Sequence, residues 1–394
     1  MTKITYILHS TDIYSGATKA FLTLLEGLKG MEYEHIVVLP DENGVYSTLQ
    51  QMGVKTYVLN YRMALYPPLR EWRDWLMFVP RLIGRIMLNR KAAKQLAQIL
   101  KLEKVTLVHS NSSVVDIGYR ACQAIGVPHV WHIREYADTQ THFIYYPCRK
   151  LYRKHFTASE NYTLCITKGV QAHHGLVGID SSFVVYDGVV SKKPIITGEQ
   201  KGSYFLYAGR LEALKGIEDL VLAYGKYIQQ MAGRKDAVAP LYIAGDTNDK
   251  EYKSHIMSLV QDLHITEYVR FGGFRNDILE LMRRERAIII PSRSEGFGFV
   301  MAEAQSQGTL VIGKNESGLK EQFDNGVECS GQEIGLRYSN EEELVARLVE
   351  VSTTKIENYQ SMVEAAQKVV SQLYTKEQYV QHILSIYPTI IYRK

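Results

Sequence analysis

The segment Pro291-Ser-Arg-Ser-Glu295-Gly296-Phe297-Gly298-Phe299-Val300-Met301-Ala302-Glu303-Ala304 places two carboxylates eight residues apart around a pair of glycines. The apolar run Ala287–Pro291 before it predicts a strand, and a helical pattern begins at about Phe299. A strand, a glycine turn and a helix start aim N–H groups and the positive dipole end at one spot, an anion site that needs no side chain. The backbone of Gly296, Phe297, Gly298 and Phe299 supplies the candidate donors. Glu295 precedes the helix and Glu303 lies about one turn inside it, so both can face a ligand bound at the helix start. Carboxylates accept hydrogen bonds from paired hydroxyls, which suits a polyol or a ribose. Two solvated glutamates beside a capped helix are the other reading of the same residues.

A second stretch, Tyr204-Phe-Leu-Tyr-Ala208-Gly209-Arg210-Leu-Glu-Ala-Leu-Lys215-Gly216, runs from a strand into a glycine turn followed by two cations. Arg210 and Lys215 at the carboxyl end of a strand suit a diphosphate. Other apparent motifs fail. Gly308-Thr-Leu-Val-Ile-Gly313-Lys314 matches the start of a P-loop, but Asn315 stands where a magnesium-binding Ser or Thr is required, and residues 309–312 form an apolar β run. Gly296-x-Gly298 has Met301 at the third glycine position of a dinucleotide fingerprint. With no Asp-x-Asp and no His/Cys cluster at ligand spacing, the expectation is phosphate chemistry without a metal or cofactor.

The elements that carry these residues alternate along 394 residues, a length that predicts two domains. Hydrophobic content of 46% and charged content of 22% exclude wholesale disorder. Four cysteines without a Cys-x-x-Cys pair argue against a disulfide framework and for a reducing compartment. No apolar run is long enough to span a bilayer, and the start does not read as a signal peptide. Strand-like runs at Ile4–Leu8, Glu34–Leu39, Val54–Leu59, Val105–His109, His129–Ile133 and Phe183–Tyr186 are mostly separated by helical stretches. After a polar linker, Ser191–Gly202, the alternation restarts at Tyr204–Ala208, Pro240–Ala244, Val269–Gly272, Ala287–Pro291 and Thr309–Ile312. Helices follow from about Glu342. The pattern is α/β: two Rossmann-like, doubly wound parallel sheets, with ligands expected in a cleft at the strand carboxyl ends.

Glu295-x7-Glu303, Gly209-Arg210…Lys215-Gly216, Ile243-Ala244-Gly245 and Tyr186-Asp187-Gly188-Val189, taken together, resemble the retaining family-4 glycosyltransferases of GT-B fold. The first half matches more loosely, through Ser15-Gly16-Ala17, His109-Ser-Asn111 and Trp131-His132-Ile-Arg134-Glu135; the family often has Gly-Gly where Ser15-Gly16 stands. The resemblance implies an acceptor-binding domain over 1–190, a nucleotide-sugar donor domain over 191–372, and a C-terminal helix, 373–394, that returns to the first domain. It implies that Arg210 and Lys215 neutralise the donor diphosphate, Glu303 holds ribose hydroxyls and Glu295 holds hydroxyls of the transferred sugar. Gly16 and Gly209 would approach the donor, and Phe274 and Arg275 would line the nucleobase of a UDP- or GDP-linked sugar. His132 would face the sugar and the acceptor, with His109, Asn111 and Arg134 on the acceptor side. The implied reaction is transfer, with retention, to a glycan or polyprenyl-linked acceptor in bacterial surface-polysaccharide assembly. A non-hydrolysing sugar-nucleotide epimerase and a non-catalytic sugar-nucleotide-binding subunit are the alternatives.

The net charge of +4 divides unevenly. Residues 1–187 hold 21 Lys and Arg against 15 Asp and Glu, and the remainder holds 25 against 27. Residues 62–104 alone hold ten cations against three acids, interleaved with Tyr66, Trp72, Trp75, Leu76, Phe78, Val79, Leu82, Ile83, Ile86 and Met87. A second basic-aromatic stretch covers 145–154. Basic amphipathic helices with tryptophan suit an anionic membrane surface, which predicts a cytoplasmic chain peripheral to the inner face of the membrane. No nucleic-acid-binding module is recognised.

Overall fold

The computed structural model describes residues 2–69, 71–141, 143–191, 201–234 and 237–392. Arg70 and residues 192–200 of the expected linker lie outside them. The chain divides into a first unit that runs to Gly188 and resumes at Lys376, and a second unit, Val189–Thr375. The sequence predicts divisions after 190 and 372. Backbone pairing places them differently: the Val189 N–H donates to the Tyr374 carbonyl at 2.9 Å, and Val190 bridges Thr375.

The first unit contains β1 (Thr2–Ile7), α1 (Gly16–Gly27), β2 (Tyr33–Leu39), α2 (Val45–Gln51), β3 (Lys55–Val58), α3 (Trp72–Leu76) and α4 (Phe78–Glu103). It continues through β4 (Leu107–Ser110), α5 (Ile117–Ile125), β5 (His129–Ile133), α6 (Asp138–Thr141), α7 (Arg149–Arg153), β6 (Asn161–Cys165), α8 (Lys168–His173) and β7 (Ser182–Val184). All seven strands are parallel, in the order β3-β2-β1-β4-β5-β6-β7. Helices cover a parallel sheet on both faces, so its inner strands read as apolar runs. β6 is an exception that the sequence reading passes over: Asn161 and Thr163 are buried in it, and Asn161 satisfies its amide on the carbonyls of His155 and Phe156.

The second unit contains β8 (Phe205–Ala208), α9 (Ile217–Gln230), β9 (Leu241–Ala244), α10 (Lys250–Asp262), β10 (Val269–Gly273), α11 (Ile278–Arg284), β11 (Ala287–Ile290) and α12 (Phe299–Ser306). Then come β12 (Leu310–Lys314), α13 (Ser317–Ser330), β13 (Leu336–Tyr338), α14 (Glu341–Thr353) and α15 (Gln360–Leu373). The sheet order, β10-β9-β8-β11-β12-β13, repeats that of the first unit. The P-loop look-alike is strand β12, hydrogen-bonded between β11 and β13. α13 and β13 are additions to the sequence reading.

Helix α16 (Lys376–Ile391) belongs to the first unit, where Tyr379, Val380, Ile383, Ile386, Tyr387 and Ile390 join the core. Gly27 permits its close packing on α1, since a Cβ there would sit 2.4 Å from a Val380 methyl. Among the described residues no helix is long and apolar enough to cross a membrane.

Candidate functional site

In both sheets the order reverses direction at one pair of neighbouring strands, β1/β4 and β8/β11, and loops at such a switch point splay apart to leave room for a ligand. Gly16, Asn111, Arg210, Lys215 and Glu295 follow these strands, whereas His132 and Arg134 lie at the end of β5, and Phe274 and Arg275 follow β10.

In the second unit the loop after β8 holds Gly209 to Gly216 and the loop after β11 holds Pro291 to Gly298. They are locked edge to edge. Gly216 has φ +68°, and a Cβ on it would lie 2.0 Å from the Pro291 carbonyl oxygen, so only glycine allows this approach. The Arg293 N–H donates to the Leu214 carbonyl at 3.0 Å, and its guanidinium grips Asp219 on α9 at 2.6 and 2.8 Å. Lys215 is thereby carried to Glu295, with Nζ 2.6 Å from Oε1. Arg210, on the same loop, is 70% exposed and pairs with Glu212 at 2.8 Å. Gly209 donates to the Ala244 carbonyl, and a Cβ on Gly245 would meet the Gly209 carbonyl at 1.8 Å, so the ends of β8 and β9 pack backbone to backbone.

The Glu295–Gly298 turn is shaped from behind by α13. Gln322 Nε2 donates to the carbonyls of Phe297 and Gly298 at 2.7 and 2.9 Å, and the Gly318 N–H donates to the Glu295 carbonyl at 3.0 Å. Gly298, at φ +102°, is the N-cap of α12 and has no side chain to cap with, which leaves the first turn of that helix without a side-chain acceptor. The Phe297 ring is buried edge-on against Phe299 and Tyr374, so this residue can offer a ligand its backbone only. Glu303 is half-buried on α12. Phe274 is 59% exposed after β10, and Arg275 pairs with Asp277 at 2.5 Å.

The first unit gathers its four predicted acceptor-side residues into a closed network. Asn111, after β4, donates to the Ala17 carbonyl in the first turn of α1, one residue beyond Gly16. Arg134 fills all its nitrogens: Nη1 on Asp187 at 2.5 and 2.6 Å, Nε on Asn111 at 3.1 Å, Nη2 on the Tyr379 hydroxyl at 3.0 Å and on His132 Nδ1 at 3.2 Å. His109 lies 3.3 Å from the same His132 nitrogen through Nε2, and 2.6 Å from the Tyr387 hydroxyl through Nδ1. All four are buried. The polar atoms of His109 and Arg134 are paired within the unit.

Burial, and then the charge of Arg134, pushes both imidazoles well below the usual histidine range. Burial raises the Asp187 carboxyl above its ordinary value while Arg134 opposes the rise. The Arg134 N–H facing His132 Nδ1 assigns the neutral ring's proton to Nε2, and that buried Nε2 has no partner among the described residues. The network thus presents one N–H.

Tyr379, Tyr387 and Asp187 have no individual role in the sequence reading, nor do Ser112 and Ser113, which bind Glu135 at 2.9 and 2.6 Å. His9, just past β1, is also new. Burial lowers its imidazole against the opposing pull of Glu135.

Residues 191–369 match the family model described as glycosyl transferases group 1. The D-inositol 3-phosphate glycosyltransferase of Frankia alni is 28% identical over 132 residues, 33% of this chain and 32% of that protein. The N-acetyl-alpha-D-glucosaminyl L-malate synthase of Bacillus anthracis is 26% identical over 187 residues, 48% of this chain and 44% of that one. The chain therefore spans less than half the length of these curated relatives. Among solved structures, Anabaena HepE in complex with UDP and glucose superposes with a TM-score of 0.73 at 18% identity, covering 98% of this chain and 99% of that one. The lipopolysaccharide outer core galactosyltransferase WaaB gives 0.70 at 17% identity, covering 98% and 100%. The chain has the GT-B fold, and residues 191–369 of its second unit are similar to the group 1 glycosyl transferases.

Proposed function

We propose that this protein transfers a glycosyl residue from a nucleoside diphosphate sugar, with retention of anomeric configuration, to a glycan or lipid-linked acceptor in polysaccharide assembly. The observation that carries the reading is the Lys215–Glu295 pair at the β8/β11 switch point, beside the uncapped start of α12. Lys215, the exposed Arg210 and the first N–H groups of α12 form an anion site for the diphosphate. They stabilise the charge that grows on it as the anomeric bond breaks. The bond between C1 and the phosphate oxygen breaks with its electron pair going to the phosphate. The acceptor hydroxyl oxygen bonds to C1 on the same face, and its proton passes to the departing phosphate.

Glu303 accepts from the ribose hydroxyls, Glu295 from hydroxyls of the transferred sugar, and Phe274 and Arg275 flank the base. His132 Nε2–H donates to an oxygen of the sugar or acceptor, with His109, Asn111 and Arg134 positioning it. The UDP held by the Anabaena HepE structure supports a uridine donor. A cytoplasmic location with peripheral association at an anionic membrane fits the basic first half.

The test is a panel of nucleotide sugars in thermal shift, followed by product analysis. One donor should raise the melting temperature, because ligand binding stabilises the folded state by mass action. The same donor should hydrolyse slowly without acceptor, and the transferred sugar should keep its anomeric configuration by NMR. No stabilisation by any UDP- or GDP-sugar refutes the donor, and an inverted product refutes the stereochemistry.

A further inference from the structure

α4 carries two apolar stripes. One faces the core through Leu82, Ala93, Leu96 and Leu100. The other faces water: Val79, Ile83 and Met87 recur every fourth residue, and Trp72, Trp75 and Leu76 on the preceding helix α3 are exposed as well. Trp72 is 70% exposed, Trp75 68% and Leu76 69%. Exposing two tryptophans and four other large apolar side chains within 16 residues of chain is unfavourable unless something covers them.

The charges on these helices say what that is. Asp74 is paired with Arg81 at 3.0 Å, Glu71 caps α3, and Glu103 at the far end is bound to Lys55 at 2.6 Å. Arg85 is turned inward onto the carbonyls of Met63 and Leu65. Arg90, Lys91 and Lys94 are exposed directly beyond Met87, and Arg73 lies over the Trp72 ring. The order along the helices is an apolar, tryptophan-bearing tip followed by a cationic collar. A protein partner or a second copy would need matching acids around an apolar pocket. A bilayer needs only an acyl boundary for the tip and anionic headgroups for the collar, and tryptophan favours the level between them.

We propose that the α3–α4 tip is a membrane-insertion device. Trp72, Trp75, Leu76, Val79, Ile83 and Met87 enter the acyl boundary of an anionic leaflet, and Arg90, Lys91 and Lys94 sit at its phosphates. This gives the proposed peripheral association a specific surface, and it stands whether or not the transfer reaction is assigned correctly, because the readout is binding alone.

The chain has three tryptophans, and Trp131 is fully buried, so a vesicle-dependent change in tryptophan emission reports on Trp72 and Trp75. Vesicles of about one-third phosphatidylglycerol in phosphatidylcholine should shift the emission to the blue and float the protein. Trp72→Ser with Trp75→Ser and Val79→Ser should weaken flotation about tenfold or more at unchanged melting temperature. Arg90→Gln with Lys91→Gln and Lys94→Gln should weaken it and remove most of its salt dependence. Absence of both blue shift and flotation in the unaltered chain overturns the proposal, as does equal binding by both variants. A salt-insensitive preference for pure phosphatidylcholine overturns the anionic part. A dimer dissociated by the tryptophan substitutions, with no vesicle binding, assigns the stripe to a second copy instead.

Discussion

Replacing Lys215 separates its pairing with Glu295 from the role proposed for it on the donor diphosphate. Lys215 neutralises Glu295 at 2.6 Å, in a pair whose side chains are 25% and 15% exposed. In Lys215→Ala the orphaned carboxylate is still within reach of water, so folding should lose about 1.5 kcal/mol, the low end of the about 1.5–3 kcal/mol for a hydrogen bond to a charged group. Turnover should fall more steeply, by about 10²–10³, if the ammonium also meets charge that develops on the leaving diphosphate. Adding Glu295→Gln tells the two apart. The double variant has no orphaned charge and should recover most of the lost stability, yet its turnover should stay low, because the missing cation is still missing. Urea unfolding gives the first quantity and the initial rate of nucleoside diphosphate release gives the second. Arg210→Ala is the companion: exposed and paired only with Glu212, it should change stability by less than about 0.5 kcal/mol while slowing turnover. A double variant that regains full turnover reduces Lys215 to a counter-ion for Glu295 and refutes the reasoning.

Arg134→Ala leaves Asp187 charged and buried and strips partners from Asn111, Tyr379 and His132. The first unit should lose about 3–5 kcal/mol in denaturant unfolding, and a loss below about 1 kcal/mol would show that the network is not what holds α16 in place. Acid should weaken the same unit. His109 and His132 lie well below the usual histidine range, and burial lowers His129 to about 4 and His174 to about 3. The unfolded chain takes up protons near pH 6.5 that these folded rings refuse. Their contribution is therefore complete above that pH and is lost as pH falls below it, by about 1.4 kcal/mol per unit for each ring. A melting temperature of the first unit that stays flat from pH 7.5 to about 5.5 would contradict this.

The sheets were legible because buried parallel strands are apolar runs, and the site loops were legible because glycines and charges interrupt those runs at strand ends. β6 escaped for the converse reason. Asn161 and Thr163 read as surface residues, and only the fold supplies the His129 ring and the carbonyls that make Asn161 a buried one. Spacing could place Lys215 and Glu295 in two loops, but not against each other across 80 residues of chain. Their contact follows from β8 and β11 being neighbours, a property of sheet order that local pattern does not carry. Tyr379 and Tyr387 had still less signal, since a tyrosine on an amphipathic helix looks the same whether its hydroxyl reaches water or a buried arginine.

The uneven charge of the two halves takes its meaning from where the charges sit. In the first unit the buried network contributes nothing to the surplus: Arg134 is matched by Asp187, and burial keeps His109 and His132 neutral. Part of the excess lies instead on α4, at Arg90, Lys91 and Lys94, beyond an exposed apolar stripe. The second unit carries an acidic balance and still sets Lys215 beside an uncapped helix start, because an anion is bound by local geometry and not by net charge. The neutral network also limits the chemistry available to it. With Nδ1 of His132 already accepting from Arg134, its remaining nitrogen holds a proton to share and has no lone pair with which to take one from an acceptor hydroxyl. In the proposed transfer, deprotonation would then fall to the departing phosphate, which gains basicity as the anomeric bond breaks.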